Sequence, residues 1–300
     1  MKIVIAGGTG FLGKALEHYF SGEGADVFIL TRNPVAGNQI KWDGRTLGAW
    51  KDSLENADVL INLAGKSVDC RYNAKNKNEI LHSRIDSTAV LQKAMSLAKH
   101  PPRLWLNSSS ATIYVPAYRI PMTEDGGITG DDFSMRVCKA WEKEFFSMEQ
   151  PGIRKVALRS SIVVGNEGGG FPKLKAVSKC GLGGKQGNGR QYVSWIHIHD
   201  FCRAIDYIIN NEDLHGCINV VSPCPVINKT FMHLLAQYTR PILRLPSPGW
   251  LIAIGAFIIR TETELILKSR RVVPKILLQH GFKFEFPVLE MAFDDLFKES

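Results

Sequence analysis

An α/β fold, a doubly wound parallel sheet with a smaller, mostly helical C-terminal subdomain, is what this 300-residue sequence predicts. Three observations predict it. The chain opens on an apolar run, Ile3-Val4-Ile5-Ala6, that turns through Gly7, Gly8, Gly10 and Gly13 into helical spacing at Phe11, Leu12, Ala15, Leu16 and Tyr19. Further strand-like runs recur at 26–31, 58–65, 103–107 and 155–159, the middle two separated by a long amphipathic helical pattern. Beyond Asn219 the chain becomes proline-rich (Pro223, Pro225, Pro241, Pro246, Pro248), with helical patterns at 229–239 and 250–260.

The first strand and its glycines set the organisation. A strand that turns straight into a helix presents free backbone N–H groups and the positive end of a helix dipole at one point, which favours a phosphate. The seat is read as Gly7, Thr9, Gly10, Phe11, Leu12 and Gly13, in the strand–turn–helix context that a dinucleotide loop requires. The second strand, Asp26 to Thr31, ends without an acidic residue and is followed by Arg32. At that place an acidic side chain takes the ribose hydroxyls of NAD, whereas a basic one accepts the extra phosphate of NADP. NADP (NADPH) is therefore the expected cofactor, with Thr31 and Arg32 at its phosphate. A charge-assisted hydrogen bond there is worth about 1.5–3 kcal/mol, roughly ten- to hundredfold in affinity.

A short strand is expected at Ile40–Asp43, and a stronger one ends in Leu63-Ala64-Gly65, small residues that let a ribose or flat ring lie against the backbone. The helical pattern from Asn76 to Lys99 carries Arg84, expected in a surface ion pair, with the cofactor as its alternative partner. The next strand runs into Ser108-Ser109-Ser110-Ala111-Thr112-Ile113-Tyr114, placing hydroxyls on the same rim as the glycine loop.

Composition narrows the class. Apolar residues make up 45% and charged residues 22%, as in a globular protein with a full core. The net charge of +8 suits an anionic small molecule; its basic residues are dispersed apart from Lys268, Arg270 and Arg271, which argues against nucleic acid. Six cysteines without a C-x-x-C pair read as reduced thiols. A chain opening directly on a strand leaves no room for a leader, and the apolar run Trp250–Ile259 is too short to span a bilayer. A cytoplasmic monomer or homodimer without stable membrane insertion is expected.

The glycine loop, Leu63-Ala64-Gly65 and the segment Ser108 to Tyr114 together resemble the extended short-chain dehydrogenase/reductases, the superfamily of UDP-galactose 4-epimerase and related epimerases and dehydratases. Cys138-Lys139-Ala140-Trp141-Glu142, Gly181-Leu182-Gly183-Gly184, the segment Ser194 to Asp200, Arg270 to Pro274 and Gly281-Phe282 narrow the likeness. They are similar to an atypical branch, the epimerase-family proteins often described as nucleoside-diphosphate-sugar epimerases, with their own C-terminal segment from about residue 245. The resemblance implies an NADP-binding Rossmann domain over 1–165, to which 190–220 returns, and a substrate and C-terminal region over 166–300.

The resemblance also implies site roles. Catalysis in the superfamily joins a serine, a tyrosine and a lysine four residues after the tyrosine. Ser110 matches the serine and Lys139 the lysine, which also holds the nicotinamide ribose, but Met135 stands where the tyrosine belongs. A thioether exchanges no proton, and general acid–base catalysis contributes around 10²–10⁴ in rate. Tyr114 and Tyr118 are the nearby phenols, Tyr114 also being read as a packing or pocket-lining residue. Leu63, Ala64, Gly65, Ser108, Ser160 and Ile162 are expected on the cofactor, and Ser110, Gln191 and Trp195 on the substrate. The glycine-rich stretch from Gly165 to Gly189, with its lysines, reads either as a mobile cover over an anionic substrate or as a surface excursion. His197 and His199 are expected to alternate on one strand, without a third metal ligand, and Asp200 to cap the next helix. The expected activity is an NADP(H)-dependent oxidoreductase or epimerase on a small polar, nucleotide-sugar-like substrate; the alternative is a non-catalytic NADP(H)-binding or sensing protein.

Overall fold

A computed structural model describes residues 1–149, 151–241 and 268–298. In chain order its elements are β1 (Lys2–Ala6), α1 (Phe11–Gly22), β2 (Asp26–Thr31), β3 (Gln39–Lys41), β4 (Val59–Asn62), α2 (Ala74–Leu97), β5 (Leu104–Ser110), α3 (Phe133–Phe146), β6 (Arg154–Ser160) and β7 (Ile162–Val164). There follow α4 (Phe171–Val177), β8 (Tyr192–Val193), β9 (Trp195–His197), α5 (Ile198–Asn210), β10 (Gly216–Val220), β11 (Val226–Ile227), α6 (Asn228–Thr239), α7 (Lys275–Gln279) and α8 (Leu289–Lys298). The helical pattern expected at Trp250–Arg260 lies outside the described residues.

Seven strands form one sheet in the order β3-β2-β1-β4-β5-β6-β10, every neighbouring pair parallel. This is the doubly wound Rossmann arrangement. The order reverses between β1 and β4, which opens a crevice at the carboxyl ends of those strands. Because side chains alternate along a strand, Ile3, Ile5 and Ile61 pack on one face against Leu16 and Phe20 of α1 and Phe201 and Ile205 of α5. Val4, Ala6, Leu60 and Trp105 pack on the other face against Leu91 and Met95 of α2 and Phe145 of α3. Both faces are covered, so the strands read as continuous apolar runs.

A third apolar cluster joins Val164, Phe171, Trp195, Phe231, Leu235, Leu289 and Phe293, drawn from β7, α4, β9, α6 and α8. Trp195 is fully buried there and its indole N–H donates to the Cys224 carbonyl at 3.1 Å, so it is a core residue and not the wall of a substrate pocket. The glycine-rich stretch folds partly into α4, and its beginning lies over Phe11, where a Cβ on Gly165 or Gly168 would come 2.8 Å from the Phe11 side chain.

His197 and His199 do not share a strand face. His197 ends β9 and caps α5, accepting the His199 N–H at 3.2 Å on Nδ1, while His199 already belongs to the helix. Asp200 is not the cap either. Its fully buried carboxylate accepts the backbone N–H groups of Glu285 (2.9 Å) and Phe286 (2.8 Å) and pairs with Arg203, tying α5 to the C-terminal segment.

Candidate functional site

The crevice begins at the glycine loop. Gly7 has φ +74°, and a side chain there would also approach the Ala64 backbone to 2.8 Å. A Cβ on Gly13 would sit 2.2 Å from the Gly8 carbonyl oxygen, so only glycine lets α1 start this close to β1. At Gly10, which precedes the first turn of α1, a Cβ would meet nothing within 4 Å. The loop is thus packed tightly beneath and open above, at the positive end of a twelve-residue helix. That open cradle fits the pyrophosphate of a dinucleotide.

Thr31 and Arg32 close β2 on this same rim. Thr31 is buried and its hydroxyl accepts the Asn33 N–H at 3.4 Å. Arg32 is exposed, and its guanidinium has no hydrogen bond or ion pair among the described residues.

A cavity of about 290 Å³ adjoins the ends of β4 and β5 and the N-terminal halves of α2 and α3. Leu63, Ala64, Gly65 and Lys66 line one side and Ser108, Ser110 and Thr112 another, and Tyr72, Arg84, Phe133, Ser134, Cys138 and Trp141 are among the remaining lining residues. Two fully buried asparagines support this rim. Asn62 donates to Asn107 at 2.7 Å and to Thr88 at 3.2 Å, and its carbonyl oxygen accepts the Ala64 N–H at 3.0 Å. Thr88 in turn accepts the Trp141 indole N–H at 3.0 Å, locking α2 to α3 beneath the cavity. Polar residues inside central strands are the signal that would have revealed this support in the sequence.

Ser110 is where the sequence places it. Its hydroxyl lies 2.5 Å from that of Thr112 and 3.4 Å from the Ser160 carbonyl. Ser160 and Ile162 stand at the adjoining end of β6 and start of β7, half-buried.

The α3 face differs from the expected one. Ser134 and Cys138, four residues apart, line the cavity one position ahead of Met135 and Lys139. Each residue rotates a helix by about 100°, so the one-residue offset turns the expected pair away. Met135 is buried, and a Cβ on Gly130 would meet its sulfur at 2.4 Å. Lys139 pairs with exposed Asp131. Burial pushes the Cys138 thiol up to about 12, so it is a neutral group and no nucleophile at neutral pH.

Three other expectations are corrected. Tyr114 is fully buried outside the cavity, donating to Asn219 at 2.9 Å and accepting from Arg159 at 2.8 Å, and burial raises its phenol above the ordinary value. Gln191 is buried and its amide N–H donates to the Gln186 carbonyl at 2.9 Å, which leaves it part of the local packing. Arg84 makes no surface ion pair: its Nη1 donates to the carbonyls of Ile80 (2.9 Å) and Lys66 (3.1 Å), and Trp141 covers it at 5.1 Å. Tyr118 is exposed. The phenol that does line the cavity is Tyr72, stacked edge-on against Phe133 in the loop before α2, where no periodic pattern marks it.

Among the described residues, no group of three or more His, Cys, Asp or Glu is placed to hold a metal ion. No described helix is long and apolar enough to cross a membrane, and the run Trp250–Ile259 lies outside them.

Comparison with known proteins agrees with this geometry. The model of the NAD dependent epimerase/dehydratase family matches residues 3–221, and a domain of unknown function, DUF1731, matches 247–296. The epimerase family protein YfhF of Bacillus subtilis (strain 168) is 35% identical over 303 residues, covering 99% of this chain and 98% of that protein. The crystal structure of human epimerase family protein SDR39U1 (isoform 2) with NADPH has a TM-score of 0.90 at 28% identity, covering 100% of both chains. That of a nucleoside-diphosphate sugar epimerase from Corynebacterium glutamicum has a TM-score of 0.82 at 26% identity, covering 100% of this chain and 59% of the other. With the nucleotide-binding sheet, the glycine loop and these likenesses in agreement, the chain belongs to the NAD dependent epimerase/dehydratase family, as an atypical short-chain dehydrogenase/reductase with the NAD(P)-binding fold.

Proposed function

We propose that the chain is an NADP(H)-dependent oxidoreductase or epimerase whose substrate is a small polar molecule held in the cavity beside β4 and β5. The observation that carries this reading is the continuity of the rim: open cradle at Gly10, unpaired Arg32 at the end of β2, and a hydroxyl-lined cavity at Ser108 and Ser110. The NADPH-bound human relative supports the choice of NADP. A bound nicotinamide supplies hydride exchange. The backbone N–H groups at the start of α1 would hold the pyrophosphate, and Arg32 would pair with the 2′-phosphate. Leu63, Ala64 and Gly65 would give a flat surface for the ribose, and Ser160 and Ile162 would lie on the nicotinamide side. Ser110 and Thr112 hold a substrate oxygen, while Tyr72 serves as the phenol that gives or takes its proton.

Titration of the apo protein with NADPH and NADH tests the cofactor. NADPH should bind roughly ten- to hundredfold more tightly, and Arg32→Ala should erase the difference; equal affinities in the wild type refute NADP. Turnover is tested by following NADPH consumption across carbonyl compounds and nucleotide sugars. Tyr72→Phe should then lower kcat by about 10²-fold or more, with NADPH affinity unchanged.

A specific observation favours a second reading, a cofactor-binding protein without turnover. The cavity face of α3 offers Ser134 and Cys138 at the four-residue spacing where the superfamily uses tyrosine and lysine. NADPH binding without consumption of NADPH by any compound in that panel would select it.

A further inference from the structure

Arg84 is a cation in the cavity wall with no counter-ion among the described residues. It extends from α2 across Gly65, where a Cβ would lie 3.1 Å from the guanidinium carbon, so the missing side chain at Gly65 gives it room. Nη1 is held by the Ile80 and Lys66 carbonyls, and the Trp141 ring covers one face of the group. These contacts fix the orientation but supply no negative charge. No carboxylate pairs with Arg84 among the described residues, and its Nε and Nη2 have no protein partner there. Removal from water lowers its pKa from the ordinary value, which reports the same lack of compensation. The cavity's other cation is already neutralised: Lys66 pairs with Glu79 and donates to Asn76 at 2.9 Å.

A second group points the same way. Ser134 is 9% exposed, lines the same cavity, and its hydroxyl has no hydrogen-bond partner. A half-buried charge without a counter-ion and a buried hydroxyl without a partner are both unfavourable until a ligand satisfies them.

We infer that Arg84 and Ser134 form a subsite for a carboxylate group of the substrate. With Nη1 occupied by the backbone, the guanidinium keeps one planar edge of two donors, which matches the two oxygens of a carboxylate. The single uncompensated positive charge suits a monoanion better than a dianionic phosphate. The inference deepens the proposed function by naming the substrate class, and it rests on that reading only in taking the ligand to be a substrate beside the cofactor.

The test titrates the full chain, apo and with NADPH present, with acetate, benzoate and glucuronate, each paired with its neutral amide, and reads the fluorescence of the tryptophans. At least one carboxylate should bind about tenfold or more tightly than its amide. Arg84→Gln should abolish that preference, Arg84→Lys should lose most of it because an ammonium offers no planar two-donor edge, and Ser134→Ala should weaken the carboxylate roughly fivefold. NADPH affinity should change less than about twofold in all three. Absence of any carboxylate preference in the wild type overturns the inference, and this comparison needs no variant to fold. So does an Arg84→Gln protein that loses NADPH binding and keeps the carboxylate preference, because the guanidinium then serves the cofactor. Carboxylate preference in a protein that binds neither NADPH nor NADH sustains the subsite and refutes the cofactor reading.

Discussion

Arg159 and Arg84 contact consecutive residues of α3, and the protein treats them in opposite ways. Arg159 forms a two-pronged pair with Glu142, Nε to Oε1 at 2.8 Å and Nη2 to Oε2 at 2.7 Å, while its Nη1 donates to the Tyr114 hydroxyl. Ser109 adds a hydrogen bond to Glu142 at 2.6 Å, and Tyr114 passes the chain on to Asn219. This network links β5, β6, β10 and α3, neutralises its own charge, and continues from Asn219 to the Val273 carbonyl at 3.1 Å. Arg84, one residue away on Trp141, has backbone carbonyls and a ring but no anion among the described residues. The contrast separates polar groups that hold the fold from polar groups that wait for a ligand. By the same division Asn62, Asn107 and Asp200 belong to the first set, and Ser134, whose buried hydroxyl has no hydrogen-bond partner, to the second.

Breaking the self-neutralising network should give the largest effect. Glu142→Ala leaves a buried guanidinium without its partner and should cost about 3–5 kcal/mol, read as the shift of a urea unfolding midpoint. A loss under about 1 kcal/mol would show that water reaches Arg159 and that the two arginines are not distinct.

His197 sharpens the comparison through pH. It is buried against Phe286 at 4.0 Å, and its Nε2 lies 3.4 Å from Asp295 without a hydrogen bond. Burial, only partly opposed by Asp295, pushes its pKa down from 6.5 to about 4. A folded pKa below the unfolded one means that the unfolded chain takes up the proton first. The contribution of the neutral ring is therefore complete above pH 6.5 and is lost as pH falls towards 4. The linked effect is on the order of 3 kcal/mol, and His197→Gln should flatten unfolding free energy over that interval.

Within the loop, two glycines three residues apart should separate in the same way. Gly13→Ala must push against the Gly8 carbonyl and should cost about 1–3 kcal/mol, with loss of NADPH binding. Gly10→Ala meets no protein atom and should change stability by less than about 0.5 kcal/mol while weakening NADPH. If Gly10→Ala binds NADPH like the wild type, the pyrophosphate does not lie over that residue.

Much of the fold was legible because its signals are local. The apolar runs of β1, β2, β4, β5 and β6 are short and continuous, as strands covered on both faces must be. The small strands β7, β8 and β11 carry no usable period, being two or three residues long. The end of β9 was misread for the same reason: Ser194 to Asp200 alternates like a strand, but the helix begins at Ile198 once His197 caps it. The positions of Ser110 and of the glycine loop on one rim were legible because each lies at the end of a strand. Tyr114 was drawn in by its closeness in sequence, although the 3-10 turn Ala111–Ile113 directs the chain back into the core.

The sequence by itself determined the glycine turn between β1 and α1. Gly7, Gly10 and Gly13 between a strand and a helix fix the backbone through short-range sterics, and no distant residue is needed to see what they admit. Only the tertiary structure decided which side chains face the cavity. A single residue of phase, about 100° of helix rotation, exchanges Met135 and Lys139 for Ser134 and Cys138. Whether Arg84 finds a carboxylate depends on what packs across from α2, and that is set by residues far away in the chain. Electrostatic compensation belongs to the packed molecule, so it became visible only once the elements were assembled.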